Sequence, residues 1–298
     1  MELAQLFNSN PTLFTAFIAL LGLLVGSFLN VVILRLPMMM EADWKAQCKE
    51  FLNCSCKETE TTQSADSTSK QFNLVFPASH CPKCHSPLRA WHNIPVISFL
   101  LLKGRCHHCG DKISWRYPVI ESVSAVLSAL LAFHFGFGWQ CAAALILVWV
   151  LIALSVIDFD HQLLPDDLTL PLLWLGLLLN YVGLFTDLHS AVLGAAFGYG
   201  SLWSVYWLFK MVTGKEGMGY GDFKLLAVLG AWFGWQLIPL IIILSSLVGA
   251  LVGLTLIISL GRDKNIPIPF GPYLAAAGFI ALLWGEPLTR FYLHSMAH

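Results

Sequence analysis

Eight apolar stretches set the fold class of this chain. They cover about 12–34, 118–137, 141–157, 168–186, 190–209, 223–235, 237–260 and 270–285. A helix crosses the bilayer hydrocarbon with about 17–25 residues, so most of these stretches qualify. The piece at 223–235 is short; it either starts below the membrane surface or is re-entrant. Of the 298 residues 57% are hydrophobic and 12% charged, too apolar a balance for an ordinary soluble domain of this length. The expected fold is an all-α polytopic membrane protein of about eight transmembrane helices, with a small cytoplasmic zinc-ribbon-like domain.

Charge placement orients the spans. Net charge is −1, yet 11 of the 17 Lys and Arg residues lie between Arg35 and Arg116. With the N-terminus outside and eight crossings, the inner segments collect all the cations except Arg290, as the positive-inside rule prefers. No positive n-region precedes the stretch from Thr12 to Leu34, so it reads as a retained span and not a cleaved signal peptide. No basic stripe with interleaved aromatics suggests nucleic acid. The expected division is a first transmembrane helix at 1–36, a cytoplasmic domain at 37–117 and a membrane-embedded domain at 118–298. The polar run from Lys57 to Gln71 reads as a mobile loop, and the whole 39–78 segment as an insertion lengthening it.

Cys81-Pro82-Lys83-Cys84 and Cys106-His107-His108-Cys109 each place two thiols on one tight turn. Two such turns can close a tetrahedral shell around zinc, with Zn–S near 2.3 Å; four unligated thiols are the plain alternative, and a thioredoxin-like redox role lacks the βαβ pattern around either pair. Four thiolates leave no open coordination position, so the metal is expected to be structural. His80, His85, His107 and His108 read as solvated neighbours, and Cys141 as a small apolar helix residue.

Two carboxylates sit at helix ends, where ionisable groups are costly and usually functional. Asp158 follows a long apolar run. Asp222 closes Gly217-Met218-Gly219-Tyr220-Gly221-Asp222, where the glycines Gly217, Gly219 and Gly221 permit unusual backbone angles or close approach of another segment. The topology places both aspartates on the cytoplasmic face. A close carboxylate pair shares a proton: the ionised member activates water and the protonated one polarises a carbonyl. Asp166 and Asp167 read as caps of the helix starting near Leu168, Asp160 stays undecided, and His161 reads as a loop residue. A transporter with a cytoplasmic zinc ribbon is the reading from another class.

Several motifs in order resemble the type IV prepilin peptidase family over almost the whole chain. These are Gly26-Ser27-Phe28-Leu29-Asn30, the two cysteine pairs flanking His92-Asn93-Ile94-Pro95, Lys103-Gly104-Arg105, Tyr117-Pro118 before Glu121, and Leu163-Leu164-Pro165-Asp166 after Asp158. The glycine run ending at Asp222 and Pro269-Phe270-Gly271-Pro272 complete the order. The resemblance implies a bifunctional leader peptidase and N-methyltransferase of the bacterial inner membrane. It implies cleavage of type IV prepilins and type II secretion pseudopilins after a glycine, at the cytoplasmic face. It further implies methylation of the new N-terminal residue with S-adenosylmethionine. Asp158 and Asp222 would be the catalytic pair, Cys81, Cys84, Cys106 and Cys109 the zinc ligands, and Gly104 a residue associated with methylation. A peptidase without methylation is the alternative within the family. Glu121 reads as a helix-start acid complementing the dipole.

Overall fold

The computed structural model describes residues 2–52, 73–74, 76, 80–81, 83–84, 86–87, 95–215, 217–260 and 268–296. The polar run 57–71 and His85 lie outside the described residues. Among those described, the regular structure is helical: α1 (Glu2–Ser9), α2 (Pro11–Leu52), α3 (Ile97–Leu101), α4 (Arg116–Phe135), α5 (Trp139–His161), α6 (Asp166–Tyr181), α7 (Leu188–Thr213), α8 (Tyr220–Phe233), α9 (Ile238–Leu260) and α10 (Gly271–Met296). Each of the eight apolar stretches falls on one of these helices. Among the described residues, five helical stretches are long and apolar enough to cross a membrane: Pro11–Phe51, Arg116–Phe135, Trp139–His161, Leu188–Thr213 and Trp235–Leu256.

The first apolar stretch does not stop before the cytoplasmic segment. Helix α2 continues through Pro37 to Leu52, so residues 39–52 are helical and not loop. Pro37 lacks the N–H that would bond back to Ile33. The residues after it sustain the helix nonetheless: Met, Ala, Glu, Gln and Lys are good helix formers, and Glu41 pairs with Lys45 one turn on at 2.7 Å. At the other end of the chain, α10 loses regular helical geometry at Trp284 (φ −129°), three residues before Pro287, whose ring excludes the normal turn.

The chain divides into two compact units, residues 23–123 and residues 1–22 with 124–298. In the larger unit α8 is the central helix. It has 14 residues, about 21 Å at 1.5 Å per residue, and everything from Leu225 to Phe233 is buried. Its backbone therefore meets protein along most of its length, which explains how so short an apolar helix persists. Small residues let α7 and α8 touch. A Cβ at Gly198 would lie 2.6 Å from the Leu226 carbonyl, and Gly194 and Gly230 face each other at backbone contact. On the opposite side of α8, Trp232 is fully buried and donates its indole N–H to the Leu172 carbonyl at 2.9 Å.

Buried Asn180 locks the far end of α6. Its amide donates to the carbonyls of Ala231 (2.8 Å) and Trp232 (3.0 Å), and its oxygen accepts from the backbone N–H groups of Phe185 and Thr186, both at 3.1 Å. All its hydrogen-bonding capacity is used, as burial of an amide demands.

Candidate active site and metal centre

The end of α5 exposes one acid and hides another. Gln162 caps the helix in the left-handed conformation (φ 54°), and its N–H bonds to the Asp158 carbonyl at 2.9 Å. This leaves Asp158 in the last turn, 6% exposed, with Asp160 and His161 in solvent. Its Oδ2 accepts a 2.9 Å hydrogen bond from the backbone N–H of Gly271, the first residue of α10. A Cβ on Gly271 would sit 2.7 Å from that same oxygen. Only glycine brings the amide this close without displacing the carboxylate.

Asp222 enters from α8. Gly214 ends α7 in a left-handed conformation (φ 70°), and Gly219 stands at the N-cap of α8 without a side-chain cap. Asp222 lies in the first turn, where the helix dipole favours a carboxylate. It is 7% exposed, and its Oδ1 is buried without a hydrogen-bond partner among the described residues. None of the three glycines before Asp222 has a positive φ, and two of them, Gly217 and Gly221, serve close approach instead. A Cβ would come within 2.9 Å of the Phe209 ring at Gly217 and within 2.8 Å of Leu164 at Gly221.

The other acids of the α5–α6 connection behave differently from Asp158. Helix α6 begins at Asp166, its N-cap is Pro165, and no side chain caps it. Asp166 and Asp167 are therefore first-turn residues and not caps. Proline's fixed φ suits the entry, and Asp166 is drawn instead to Lys224, whose ammonium donates to both carboxylate oxygens at 2.7 and 2.8 Å. Sequence reading passed over Lys224 and left Gly271 without a role. The signal available for Gly271 was its place in Pro269-Phe270-Gly271-Pro272 at a helix start.

The four cysteines converge in the smaller unit. Cys81, Cys84, Cys106 and Cys109 place their sulfurs within 4.8 Å of one another, with Cys81 and Cys109 3.9 Å apart. A tetrahedron with Zn–S of about 2.3 Å has S···S edges of about 3.8 Å, so the donor set fits a tetrahedral thiophilic metal. Each pair sits on the same backbone device. The N–H of Cys81 bonds to the Ser86 carbonyl at 3.1 Å, and that of Cys106 to the Asp111 carbonyl at 2.8 Å. Gly110 (φ 71°) supplies the left-handed step of the second turn. Lys83 and Asp111 join the turns at 2.9 Å; the pairing raises the lysine pKa and lowers that of the carboxyl. Cys84 Sγ lies 2.6 Å from the Ser86 hydroxyl, which draws the thiol down to about 6 and favours the thiolate that a metal needs.

Gly104 lies two residues before this second turn, with φ 67°. It lines an open cleft of about 420 Å3 with Phe99, Trp115, Lys103, Arg105 and Lys112. Phe99 and Trp115 meet edge to face at 4.8 Å. Glu121 does more than complement a dipole: it is buried, accepts from the Val96 N–H at 2.8 Å and meets Ser27. Val96 is held at φ 57°, a conformation costly for a β-branched residue.

The chain is 56% identical to a prepilin leader peptidase/N-methyltransferase of Pseudomonas aeruginosa over 293 residues, 98% of each chain. It is 52% identical to a protein of that name from Aeromonas salmonicida over 99% of each chain, and 43% identical to one from Legionella pneumophila over 93% of each. Residues 145–254 match the type IV leader peptidase family and residues 20–135 the bacterial peptidase A24 N-terminal domain. The chain belongs to the type IV leader peptidase family. That membership sets the transporter reading aside. Within the family match lie both aspartates, Lys224 and the glycine run, while the four cysteines and Gly104 fall in the N-terminal domain match. Gly271 lies beyond both matched segments. No solved structure matches the chain.

One consequence of the Gly271 contact is measurable. Gly271→Ala should push the Asp158 carboxylate off its amide, and displacement by about 1 Å costs about 100-fold in rate. The loss is expected in kcat with KM little changed. A Gly271→Ala protein as active as wild type would show that this contact does not set the carboxylate.

Proposed function

We propose that this chain removes the leader peptides of prepilins and pseudopilins with Asp158 and Asp222 as its catalytic pair, and then methylates the new N-terminal amine. The observation that supports the reading is the burial of two carboxylates in the same helical unit, one at the end of α5 and one in the first turn of α8, with Oδ1 of Asp222 lacking a hydrogen-bond partner among the described residues. In this mechanism the ionised carboxylate takes a proton from water as the water attacks the scissile carbonyl. The protonated partner donates its hydrogen bond, then its proton, to the carbonyl oxygen. Collapse of the tetrahedral intermediate breaks the C–N bond, and the leaving amine takes up a proton from the dyad. The pair titrates as a unit, so neither role belongs permanently to one residue. The Gly271 amide donates to Asp158 Oδ2 and fixes that carboxyl in place.

The supporting frame is an inner-membrane protein of about eight spans with both aspartates on the cytoplasmic side. Its cytoplasmic domain, about 37–117, is held by zinc on Cys81, Cys84, Cys106 and Cys109. Zinc there supplies cross-linking of two turns and no catalysis. S-adenosylmethionine supplies the methyl group. Gly104 is the residue proposed to serve methylation: the cleft beside it offers aromatic faces for a purine and cations for a carboxylate.

Mass spectrometry of a prepilin incubated with the purified full-length protein and S-adenosylmethionine tests both steps. Wild type should yield the product short of its leader and heavier by one methyl. Gly104→Ser should still remove the leader but leave most product unmethylated, because a side chain at φ 67° is strained by about 1–2 kcal/mol and would press on Phe99, 3.0 Å away. Equal loss of both steps in a folded variant would separate Gly104 from methylation.

A further inference from the structure

We propose that the Lys224–Asp166 ion pair is a positioning latch for the two aspartates. The inference rests on reading Asp158 and Asp222 as the catalytic dyad. Lys224 stands two residues after Asp222 in the first turns of α8. Asp166 opens α6, eight residues after Asp158. The ammonium reaches both oxygens of the carboxylate, at 2.7 and 2.8 Å, so the contact fixes distance and direction together. A second contact lies beside it: Leu164, in the same α5–α6 connection, packs so tightly on Gly221 that a Cβ there would be 2.8 Å away. The connection is thus pinned to the start of α8 at two points flanking Asp222. Asp158 is held on its other side by the Gly271 amide.

The role is mechanical: the Lys224 ammonium is engaged by the Asp166 carboxylate. A half-exposed pair of this kind adds little to global stability. Its effect falls instead on a separation that must hold within a fraction of an ångström for two carboxyls to share one proton and one water. Lys224 and Asp166 are therefore positioning residues and touch no substrate.

Kinetics of prepilin cleavage by the full-length protein in detergent test this. Lys224→Met and Asp166→Asn should each lower kcat about tenfold or more with KM changed less than about twofold. The double variant should be no slower than the slower single variant, because one contact is lost once. Lys224→Arg keeps a cation able to reach the Asp166 carboxylate, though on a longer, planar head, and should retain more activity than Lys224→Met. Singles that match wild type, a double variant whose loss is the product of the singles, or a loss confined to KM would overturn the latch. Thermal unfolding monitors the fold, and Lys224→Gln replaces Lys224→Met if the latter does not fold. Asp158→Asn run in parallel separates the two levels. Should it cleave, the dyad reading fails; if it is dead while Lys224→Met matches wild type, only the latch fails.

Discussion

Asp158→Asn is expected to lower prepilin cleavage by about a thousand-fold or more while the protein folds as well as wild type. Asn keeps the size of the side chain and can still accept the Gly271 hydrogen bond, but it neither takes a proton from water nor passes one on. General acid–base catalysis by a positioned group is worth about 10²–10⁴-fold, and removing one member of a shared-proton pair removes the function of both. Asp222→Asn should match it, and the double variant should be no worse than either single. Stability should stay or rise, since each substitution removes an ionisable group buried to 6–7% exposure. The measurement is single-turnover cleavage followed by mass spectrometry, with thermal unfolding of the same samples. A folded Asp222→Asn protein with more than about a tenth of wild-type activity would end the dyad account.

Cys81→Ser is expected to strip the metal from the smaller unit. Structural zinc binding contributes about 10–16 kcal/mol in small four-ligand domains, and Cys81 is the buried member of the cluster, joined to the Ser86 carbonyl through its backbone. Serine offers a hard, protonated oxygen where the site needs a thiolate, so metal content should fall from about one zinc per chain to a small fraction. Protease cleavage within 80–112 should accelerate, and methylation should fall too, because Gly104 shares its backbone with the second turn: the Ile113 N–H bonds to the Gly104 carbonyl at 2.8 Å. Metal analysis by mass spectrometry, with limited proteolysis, reads both. Undiminished zinc in the variant would contradict the four-cysteine site.

Much of this architecture was legible because the signals are local. A run of apolar residues long enough to span a bilayer has no alternative to a helix, whatever its neighbours are. Cys-x-x-Cys closes its own turn, so a second pair nearby announces a tetrahedral site. The segment 39–52 was read as loop because its polar residues carry no apolar span signal; in the structure its helix formers continue α2 past Pro37 and outweigh one missing hydrogen bond. Asp166 was read as a cap because that explanation is local too. An acid before a helix is locally explained, and the competing attraction of Lys224 is 58 residues away.

From the sequence alone came the membrane class, the helical composition, the metal set and the two aspartates worth attention. Each follows from the hydrophobic length of a segment, the reach of a short turn, or the cost of a charge beside lipid. The tertiary structure alone decided that Asp158 and not Asp160 faces inward, that a backbone amide 113 residues away holds it, and that Asp222 is buried in the first turn of α8. It also decided that α8, short as it is, is the central helix of the larger unit. Those outcomes depend on which helix faces meet and how closely. Glycines at 194, 198, 230 and 271 set that closeness by what they lack, and an absent side chain has meaning only once the surface pressed against it is known.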